Sequence, residues 1–571
     1  MKQHTRIAAK AIAAGLSFAL TMGGVAAPVT IALADDTSTS ASDTTTTAAS
    51  KTGSVTIEKN ANNTSDTTTT IGYQIFKADV VQNGTSKTAS NIAWASDEVA
   101  TVVNAQIKAL DSSYMGTKAQ EAADYLATHL PAEGSSGTST IIESGKLYSN
   151  IANALRADTN LTPTTLMIGV AQNLSAGYWL FLTDTTSTAN TDSASKVNQV
   201  GTAPIYAVVG GSALTISPKT DLPTVTKEVK NDATGAEWSN VADSQVGQNL
   251  QYRLTGTVAD ALPSYTTYYY KFTDTLSAGL TADSTSVEVT VKTDGTEYAV
   301  ASTSYKTSLA SNTDSTSTLG VEFTDLKNLK EKDDPNTTIP VNTTTHVYVT
   351  YNAKLDKDKA YKVASDYNDN SVTLTYSNNP GTDSKGDTTP SSVRDYTYKL
   401  NLVKVDSSQQ STKLSGAKFT IQAKNPDEGA GTQTQYVQAD GTLGTDAHVF
   451  TTSDDGSISV SGLDVGTYTV VETQAPDGYN TVPSFDFSIT ATYENGALTK
   501  VGASTTNATA ADASVGSDNA VTVTVKDKAG MSLPLTGQAG VTLTWVAGGV
   551  VLAFGITHLV RSRKRDENSA E

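Results

Sequence analysis

Short runs of alternating apolar and polar residues, separated by turn residues, dominate this chain. Successive side chains of a β-strand point to opposite faces, so the alternation predicts strands that bury one face. Two stretches instead repeat apolar residues every three or four positions and predict helices, at 98–110 and 117–130, the second ending before Pro131. The predicted strands of the first 380 residues lie at 53–57, 73–81, 166–170, 178–182, 205–209, 251–258, 286–291, 346–351 and 372–376.

Breaks in this pattern divide the chain into three β-rich blocks. We predict an all-β fold of tandem Ig-like β-sandwich domains, with a helical insertion in the first domain. Segments rich in Ser, Thr, Gly, Pro and Asp separate the blocks and are typical of linkers. The predicted units are a Ser/Thr-rich disordered spacer at 35–52, domains at 53–215, 222–381 and 396–530, and linkers at 216–221 and 382–395.

Composition excludes several classes of protein. The 571 residues contain 40 Lys and Arg against 58 Asp and Glu, a net charge of −18, whereas a nucleic-acid-binding protein needs a basic face. The chain has no cysteine, which excludes disulfide scaffolds and thiol nucleophiles. Its five histidines are scattered and accompany no nucleophile motif, so we expect no metal, no cofactor and no enzyme active site.

The N-terminus has the three parts of a secretory signal peptide. Lys2, Arg6 and Lys10 form a basic region, an apolar run follows, and Ala32-Leu33-Ala34 supplies the small-x-small cleavage pattern. A membrane-spanning anchor is the weaker alternative, because small residues and glycines dilute the run. We therefore predict export with removal of residues 1–34.

The C-terminus has the arrangement of a membrane anchor, an apolar stretch followed by a basic tail. Residues 541–560 form an uncharged, mostly apolar stretch long enough to cross a bilayer as a helix. The tail at 561–571 begins with Arg561 and is basic, which predicts that it stays on the cytoplasmic side while the body lies outside.

A pentapeptide precedes this predicted helix. Leu533, Pro534, Leu535, Thr536 and Gly537 spell LPLTG. Pentapeptide, apolar helix and basic tail together resemble the LPxTG cell-wall sorting signal of Gram-positive bacteria. The resemblance implies that a sortase cleaves between Thr536 and Gly537 and passes the Thr536 carboxyl to an amine, which leaves the mature protein covalently anchored.

Three ionisable residues of the third block fall on the apolar, inward phase of predicted strands. Lys404 shares a face with Leu400 and Leu402. Glu472 is in phase with Tyr468 and Val470. Asp527 is in phase with Val521, Val523 and Val525. A charge buried in this way costs several kcal/mol unless it is paired or neutralised. A buried salt-bridge network is one interpretation. The other is an amide cross-link, because burial favours a neutral, nucleophilic lysine amine and a protonated acid.

The segments around these residues, at 402–406, 465–479 and 521–528, resemble the Cna-B-type domain of Gram-positive surface proteins. That family forms spontaneous isopeptide bonds with a catalytic Glu. The resemblance implies a bond between Lys404 and Asp527 with Glu472 as the catalyst. The residue at the last strand is usually Asn, so Asp527 is a departure that changes the leaving group from ammonia to water.

The second block repeats this pattern. Lys227 lies in phase with its apolar neighbours, Asp274 lies between Phe272 and Leu276, and residues 372–376 continue in phase to Asn378. The arrangement resembles the middle domain of sortase-assembled backbone pilins, which implies a Lys227–Asn378 bond catalysed by Asp274. Asn379 is the alternative partner, although alternation favours Asn378. The structural alternative is a solvent-facing lysine and an Asn in a turn before a proline.

The first block and its junction differ. Aligning Gly177 with Gly466 places Thr183 where Glu472 stands, so no cross-link is expected there, although Lys59 shares the face of Val55 and Ile57. In backbone pilins a lysine at this junction accepts the next subunit. Lys219 follows Pro218 in the corresponding place, although Ser217 replaces the aromatic residue of the family motif; an ordinary linker lysine is the alternative.

The resemblance as a whole implies the shaft subunit of a covalent, wall-anchored pilus that supports adhesion. Its implied partners are a class C pilus sortase, a housekeeping sortase, identical subunits joined head to tail, minor pilins, peptidoglycan and a host surface ligand. The alternatives are a monomeric wall-anchored adhesin and, less favoured, a wall-anchored enzyme. The acidic segment 366–370 lacks the Gly and Glu of an EF-hand and is interpreted as a surface turn.

Overall fold

The structure, a computed structural model, confirms the predicted all-β fold with few helices. Several predicted features lie outside the residues it describes: Lys219, the pentapeptide at 533–537, the apolar stretch at 541–560, the tail at 561–571 and most of the spacer at 35–52. The described residues are 16–20, 27–31, 49–59, 68–83, 86–129, 141–185, 199–218, 222–231, 237–363, 365–424 and 433–530.

Two short strands lie within the predicted signal peptide. Strand β1 (Leu16–Leu20) pairs with β2 (Ala27–Ile31) in an antiparallel arrangement. Within the described ranges no helix is long and apolar enough to cross a membrane.

The first block has two sheets and a set of helices. The larger sheet has the strand order β5-β4-β8-β9 with β6 added to β4, and the smaller has the order β10-β3-β7. Its elements are β3 (Thr52–Ile57), β4 (Thr69–Asn83), β5 (Ser86–Trp94), α1 (Asp97–Leu110), α2 (Ala119–Thr128), α3 (Leu147–Ala157), β6 (Thr164–Met167), β7 (Gln172–Ser175), β8 (Gly177–Thr183), β9 (Ile205–Val209) and β10 (Leu214–Ile216).

Strand β8 is buried on both faces because the helices cover one side and the small sheet covers the other. Tyr178 and Leu180 pack with the helices, whereas Trp179 and Phe181 pack with the small sheet. Helix α1 begins at Ser96, whose Oγ accepts from Val99 N at 3.2 Å, the usual contact of a helix N-cap. The sequence analysis missed α3, although its buried residues also follow the helical spacing.

The middle block is a sandwich of two sheets. One has the order β12-β11-β14-β20-β16-β17, and the other has β13-β23-β21-β15-β19-β18 with β22 added to β21. Its strands are β11 (Val225–Lys230), β12 (Trp238–Ser239), β13 (Val241–Asp243), β14 (Asn249–Thr257), β15 (Tyr270–Leu276), β16 (Leu280–Thr293), β17 (Thr296–Ala299), β18 (Lys306–Ser311), β19 (Ser317–Phe323), β20 (His346–Leu355), β21 (Asn368–Ser377), β22 (Lys385–Asp387) and β23 (Ser391–Tyr396).

The linker predicted at 382–395 is wrong. Strand β22 pairs with β21 at residues 375–377, and β23 pairs with β21 at residues 368–372. Ser384 and Pro390 stand directly before the two strands, whereas Gly386 lies within β22 and Ser391 and Ser392 lie within β23. Composition alone does not distinguish such short strands from a linker. The middle block therefore extends to Tyr396.

The C-terminal block is a second sandwich. Its smaller sheet has the order β29-β24-β34-β33, and its larger sheet has β27-β26-β25-β30-β31-β32 with β28 added to β25. Its strands are β24 (Tyr398–Asp406), β25 (Lys418–Ala423), β26 (Gln435–Val437), β27 (Leu443–Gly444), β28 (Phe450–Thr451), β29 (Ser457–Leu463), β30 (Gly466–Gln474), β31 (Phe485–Glu494), β32 (Ala497–Thr505), β33 (Ala511–Val515) and β34 (Val521–Asp527).

Gln245, which is 1% exposed, joins the middle and C-terminal blocks. Its side-chain Nε2 donates to Gly441 O, while its Oε1 accepts from Asp464 N at 3.1 Å and from the Tyr468 hydroxyl at 3.3 Å. One buried carboxamide therefore satisfies three groups of the neighbouring block, which restricts bending at this junction.

We expect Gln245→Ala to loosen the junction. The substitution removes the Gln245 contacts to Gly441 O and Asp464 N, while the Tyr468 hydroxyl keeps Asp464 O as its acceptor. We expect a loss of about 1–3 kcal/mol of local protection. Hydrogen-exchange mass spectrometry should find faster exchange around Asp464. Gln248→Ala is the matched control, because that side chain is only partly buried. Equal exchange in the two variants would contradict the assigned role.

Candidate functional site

Lys404, Glu472 and Asp527 meet inside the C-terminal block. Lys404 lies on β24 and Asp527 on the adjacent, parallel strand β34, where Lys404 pairs with Val525. Glu472 comes from β30 in the opposite sheet. All three side chains have no exposed surface, so the inward phase predicted from alternation is where the structure places them.

The lysine amine contacts both acids. Lys404 Nζ lies 2.5 Å from Asp527 Oδ1 and 2.8 Å from Glu472 Oε1. Glu472 Oε2 accepts from the backbone N–H of Val482 at 2.8 Å, which fixes the orientation of that carboxyl group. Asp527 Oδ2 is buried and has no hydrogen-bond partner among the residues that the structure describes. The amine is thus held against one fixed carboxyl and one incompletely satisfied carboxyl.

Burial controls the acidity of both carboxyl groups. Desolvation raises the pKa of Glu472 and that of Asp527, and the contact with Lys404 only partly opposes the shift. The ring of Phe419 lies 5.3 Å from Lys404 Nζ and contributes an apolar wall. Such surroundings favour neutral, protonated carboxyl groups over carboxylates.

A second cluster lies between the two sheets of the middle block. Lys227 on β11 reaches across to Asp274 on β15, with Nζ 2.6 Å from Oδ1 and 2.5 Å from Oδ2. Tyr351 on β20 donates from its hydroxyl to Asp274 Oδ2 at 2.5 Å and accepts from Lys227 Nζ at 3.1 Å. Asn370 on β21 donates from Nδ2 to the same hydroxyl at 2.7 Å.

This second cluster is also fully desolvated. Burial lowers the pKa of Lys227 to about 8, although Asp274 acts in the opposite direction. The amine lies 5.1 Å from the ring centre of Tyr252 and 5.3 Å from that of Tyr351. Near neutral pH the neutral amine, which is the nucleophilic form, is therefore far more populated for Lys227 than for an exposed lysine.

The structure brings Asn370, and not Asn378, to the Tyr351 hydroxyl that Lys227 also contacts. In the pairing of β15 with β21, Asp274 lies opposite Val372, which is two residues from Asn370 and six from Asn378. Six residues of strand span about 20 Å. The sequence-based choice of Asn378 is therefore wrong for this cluster, since both asparagines share the inward phase and only the register separates them.

Asn378 and Asn379 instead lie at the junction with the first block. Asn378 Oδ1 accepts from Ser384 Oγ at 2.7 Å, and its backbone carbonyl accepts from Gly201 N. Asn379 Nδ2 donates to Thr183 O at 3.3 Å. Both asparagines are fully buried, so they form part of a domain contact and neither lies in the exposed turn that was the alternative.

The first block has a different arrangement. The Thr183 hydroxyl accepts from Thr202 N at 2.9 Å, and Lys59 is exposed just after β3. Lys87, which the sequence analysis did not single out, is 6% exposed and donates to the carbonyls of Val208 and Ser212. Desolvation lowers the pKa of Lys87, and no carboxyl group contacts it in the described part of this block.

The acidic segment 366–370 is not the predicted surface turn. Asp366 pairs with Lys362 at 2.7 Å, but Asn368 and Asn370 are the first inward residues of β21 and are fully buried. Among the described residues, no group of three or more His, Cys, Asp or Glu side chains could hold a metal ion.

Sequence reasoning missed two residues of the middle cluster. Asn370 has the same phase as Val372, Leu374 and Tyr376, so alternation alone made it as eligible as Asn378. Tyr351 is in phase with Val347 and Val349 on β20. Other tyrosines of this core are likewise in phase with apolar residues of their own strands, so alternation does not single out Tyr351. The position of its hydroxyl depends on how the two sheets pack, which a linear pattern does not contain.

Lys404→Met should destabilise the C-terminal block most at neutral and alkaline pH. Removing the amine leaves Glu472 and Asp527 without a cation, which costs about 3–5 kcal/mol when both are ionised. Carboxyl groups whose pKa is raised by folding stabilise the folded state at low pH, and that contribution is lost as the pH rises through the raised pKa. The variant also lacks any Lys404–Asp527 cross-link, but that loss lowers the melting temperature at every pH. The pH dependence therefore reports the two carboxyl groups, and calorimetry should find a smaller loss of melting temperature at pH 5 than at pH 8.

Lys399→Met is the control for this experiment, because Lys399 lies on the outward face of the same strand and is partly exposed. We expect little change there at either pH. A greater loss for Lys404→Met at pH 5, or equal losses for the two variants, would contradict the electrostatic description of the cluster.

Comparison with known proteins gives one family match and several structural likenesses. Residues 398–507 match the family model described as SpaA: Prealbumin-like fold domain. No curated relative matches the sequence significantly. The T6 backbone pilin of serotype M6 Streptococcus pyogenes is 16% identical, with a TM-score of 0.46 over 84% of this chain and 99% of that one.

Two further structures have the same character. The full-length major pilin SpaD from Corynebacterium diphtheriae is 15% identical, with a TM-score of 0.39 over 76% of this chain and 88% of that one. The major pilin BcpA of Bacillus cereus is 15% identical, with a TM-score of 0.36 over 64% of this chain and 92% of that one. The C-terminal block is thus similar to the SpaA prealbumin-like domain, and these structures, which resemble the chain over most of its length, are major pilins.

Proposed function

We propose that this protein is the structural shaft subunit of a covalently polymerised cell-surface pilus. The observation that carries the proposal is the pair of desolvated lysine–carboxyl clusters, one in each of two successive sandwiches. A protein that only had to fold would gain as much from apolar residues at these positions. Internal cross-links explain why lysines are buried there, since they make each domain resistant to force and proteolysis.

In the C-terminal block, the bond would join Lys404 to Asp527. The neutral amine attacks Cγ of the protonated Asp527 carboxyl group, a C–N bond forms, and the C–OH bond breaks to release water. Glu472, which touches the amine, accepts a proton from it and returns a proton to the leaving oxygen. Burial supports this chemistry because it raises the pKa of Glu472 and of Asp527 and so favours the protonated acids.

In the middle block, the bond would join Lys227 to Asn370. The amine attacks Cγ of the Asn370 carboxamide, and the C–Nδ2 bond breaks to release ammonia. Asp274, which touches the amine through both oxygens, is the acid–base group. This assignment replaces the Lys227–Asn378 bond expected from the sequence.

The two bonds would stiffen the blocks in different ways. Lys404 and Asp527 lie on the first and last strands of the C-terminal block in chain order, which are neighbours in one sheet, and are 123 residues apart in sequence. A cross-link that closes a loop of this length removes about 5 kcal/mol of chain entropy from the unfolded state. Lys227 and Asn370 lie on strands of opposite sheets, so their bond would hold the two layers of the sandwich together.

Assembly would use the ends of the molecule. The resemblance of residues 533–571 to a sorting signal supports cleavage after Thr536 by a pilus sortase, and Lys219 is our candidate for the accepting amine. Joining Thr536 of one subunit to Lys219 of the next gives a head-to-tail contact that does not close, which generates a filament. A housekeeping sortase would attach the last subunit to peptidoglycan, with minor pilins and a host surface ligand as further partners.

We expect the mature chain to be lighter than its sequence mass by one water and one ammonia. Digestion should yield two branched peptides, one containing Lys404 and Asp527 and the other containing Lys227 and Asn370. The Glu472→Gln chain should retain the mass of the water, and the Asp274→Asn chain should retain the mass of the ammonia, because each substitution removes the acid–base group of one site. Intact-mass and peptide mass spectrometry measure all four outcomes.

Asn370→Ala and Asn378→Ala form a matched pair for the middle bond. The first should abolish the loss of ammonia, and the second should leave it unchanged. A chain with the full unmodified mass would remove the basis of the proposal, whereas loss of ammonia from the Asn370→Ala chain would overturn the choice of Asn370.

We expect Lys219→Ala to prevent polymerisation but not export. Wild-type protein should run as a ladder after boiling in detergent, because amide bonds survive that treatment, and the variant should run as a monomer. Lys59→Ala, at an exposed lysine of the same block, should keep the ladder. A ladder in the Lys219→Ala strain would assign the accepting amine elsewhere, and a wild type without a ladder would favour a monomeric wall-anchored adhesin.

A further inference from the structure

The Tyr351 hydroxyl occupies the centre of the middle cluster. Its oxygen is 2.5 Å from Asp274 Oδ2, 2.7 Å from Asn370 Nδ2 and 3.1 Å from Lys227 Nζ. Tyr351 is 1% exposed, so water does not compete for these contacts. Burial also raises the pKa of Tyr351 well above its usual value, and the hydroxyl therefore keeps its proton at physiological pH.

The hydroxyl lies between the acid–base group and the leaving group. Within the described ranges, no hydrogen bond joins Asp274 directly to Asn370, whereas Tyr351 contacts both. The carboxamide nitrogen is a poor leaving group unless it is protonated as the C–N bond breaks, so that it departs as ammonia. The site therefore needs a path for a proton from Asp274 to Asn370 Nδ2, and the tyrosine oxygen is the atom on that path.

We propose that Tyr351 is the proton relay of the middle-block cross-link, an inference that rests on the proposed Lys227–Asn370 bond. Transfer of a proton from the Lys227 ammonium group to Asp274 first gives a neutral amine and a protonated acid. The amine attacks Cγ of Asn370, and the electron pair of the carbonyl moves to Oδ1. These steps create a tetrahedral carbon that carries both nitrogens.

The relay then completes the reaction with all protons accounted for. Asp274 gives its proton to the Tyr351 oxygen while the tyrosine gives its own hydroxyl proton to Nδ2. The C–Nδ2 bond breaks, ammonia leaves and the C=O bond reforms. Asp274 takes the surplus proton from Nζ, so the tyrosine ends unchanged and one amide and one ammonia are formed.

The C-terminal cluster provides an internal comparison. There the lysine amine touches both Glu472 and Asp527, and no tyrosine hydroxyl contacts the three side chains in the described part of the chain. The two sites therefore differ in how a proton reaches the leaving group. A substitution at Tyr351 should affect only the middle bond. The rate at which the C-terminal bond forms is therefore an internal reference in the same molecule.

The test is the rate of bond formation in newly made protein. The full-length chain is synthesised in a cell-free system, synthesis is stopped, and the linked and unlinked peptides of both sites are measured by mass spectrometry over time. We expect Tyr351→Phe to slow the loss of ammonia by at least about 100-fold, the lower end of what a positioned proton-transfer group contributes. The loss of water at the C-terminal site should keep its wild-type rate.

Tyr270→Phe is the matched control. Tyr270 is also fully buried in the middle block and donates to Thr257 O at 2.7 Å, but it does not touch Lys227. We expect wild-type rates at both sites in this variant. If Tyr270→Phe slows the middle bond as much as Tyr351→Phe does, the effect reflects packing of the block and the relay is overturned.

Folding of the Tyr351→Phe chain is checked by its resistance to trypsin. The reference is the Asp274→Asn chain, which should also lack the middle bond. If the phenylalanine variant does not fold, site-specific incorporation of 3,5-difluorotyrosine at position 351 decides the question, since it keeps the ring and the hydroxyl but changes the acidity. A relay predicts a changed rate of ammonia loss, and an unchanged rate overturns it.

Wild-type protein that never loses ammonia would refute the cross-link itself, whereas equal rates in wild type and Tyr351→Phe would refute only the relay.

Discussion

The burial of a lysine amine against carboxyl groups is the interaction on which the interiors of the middle and C-terminal blocks depend. The lysine and carboxyl side chains of both clusters have no solvent-exposed surface, so each charge must be paired or neutralised where it stands. Lys227 responds with a lowered pKa, and Glu472 and Asp527 respond with raised values. The same desolvation that makes these groups costly to bury makes the Lys227 amine more nucleophilic and makes Glu472 and Asp527 able to give protons.

The two sandwiches place these groups by different routes. In the C-terminal block the lysine and its partner are on adjacent parallel strands, and the assisting Glu472 comes from the facing sheet. In the middle block Lys227 comes from one sheet, while Asp274 and Asn370 come from the other, so the sandwich must close before the cluster exists. The chemistry in both cases follows strand pairing, which ties any cross-link to a correctly folded domain.

The junctions between blocks also contain buried polar side chains, since Gln245 and Asn379 have almost no exposed surface. Gln245 satisfies groups of the C-terminal block, and Asn379 and Arg156 join the middle block to the first through Thr183 O and Pro380 O. Buried polar contacts of this kind are directional, and each is lost if neighbouring blocks rotate. These contacts therefore restrict rotation of one block against the next.

The sequence by itself determined the β-rich class, the three blocks, and the inward faces of Lys227, Asp274, Lys404, Glu472 and Asp527. Alternation is sufficient for these features because a two-residue period assigns each side chain to a face. It does not assign a position along the neighbouring strand, so Asn370 and Asn378 were indistinguishable until the register of β15 with β21 placed one at the lysine and the other at a domain junction. Likewise, composition predicted a linker at 382–395 where tertiary structure adds β22 and β23. Strand register and sheet packing arise from contacts between residues far apart in the chain, and only the folded molecule contains them.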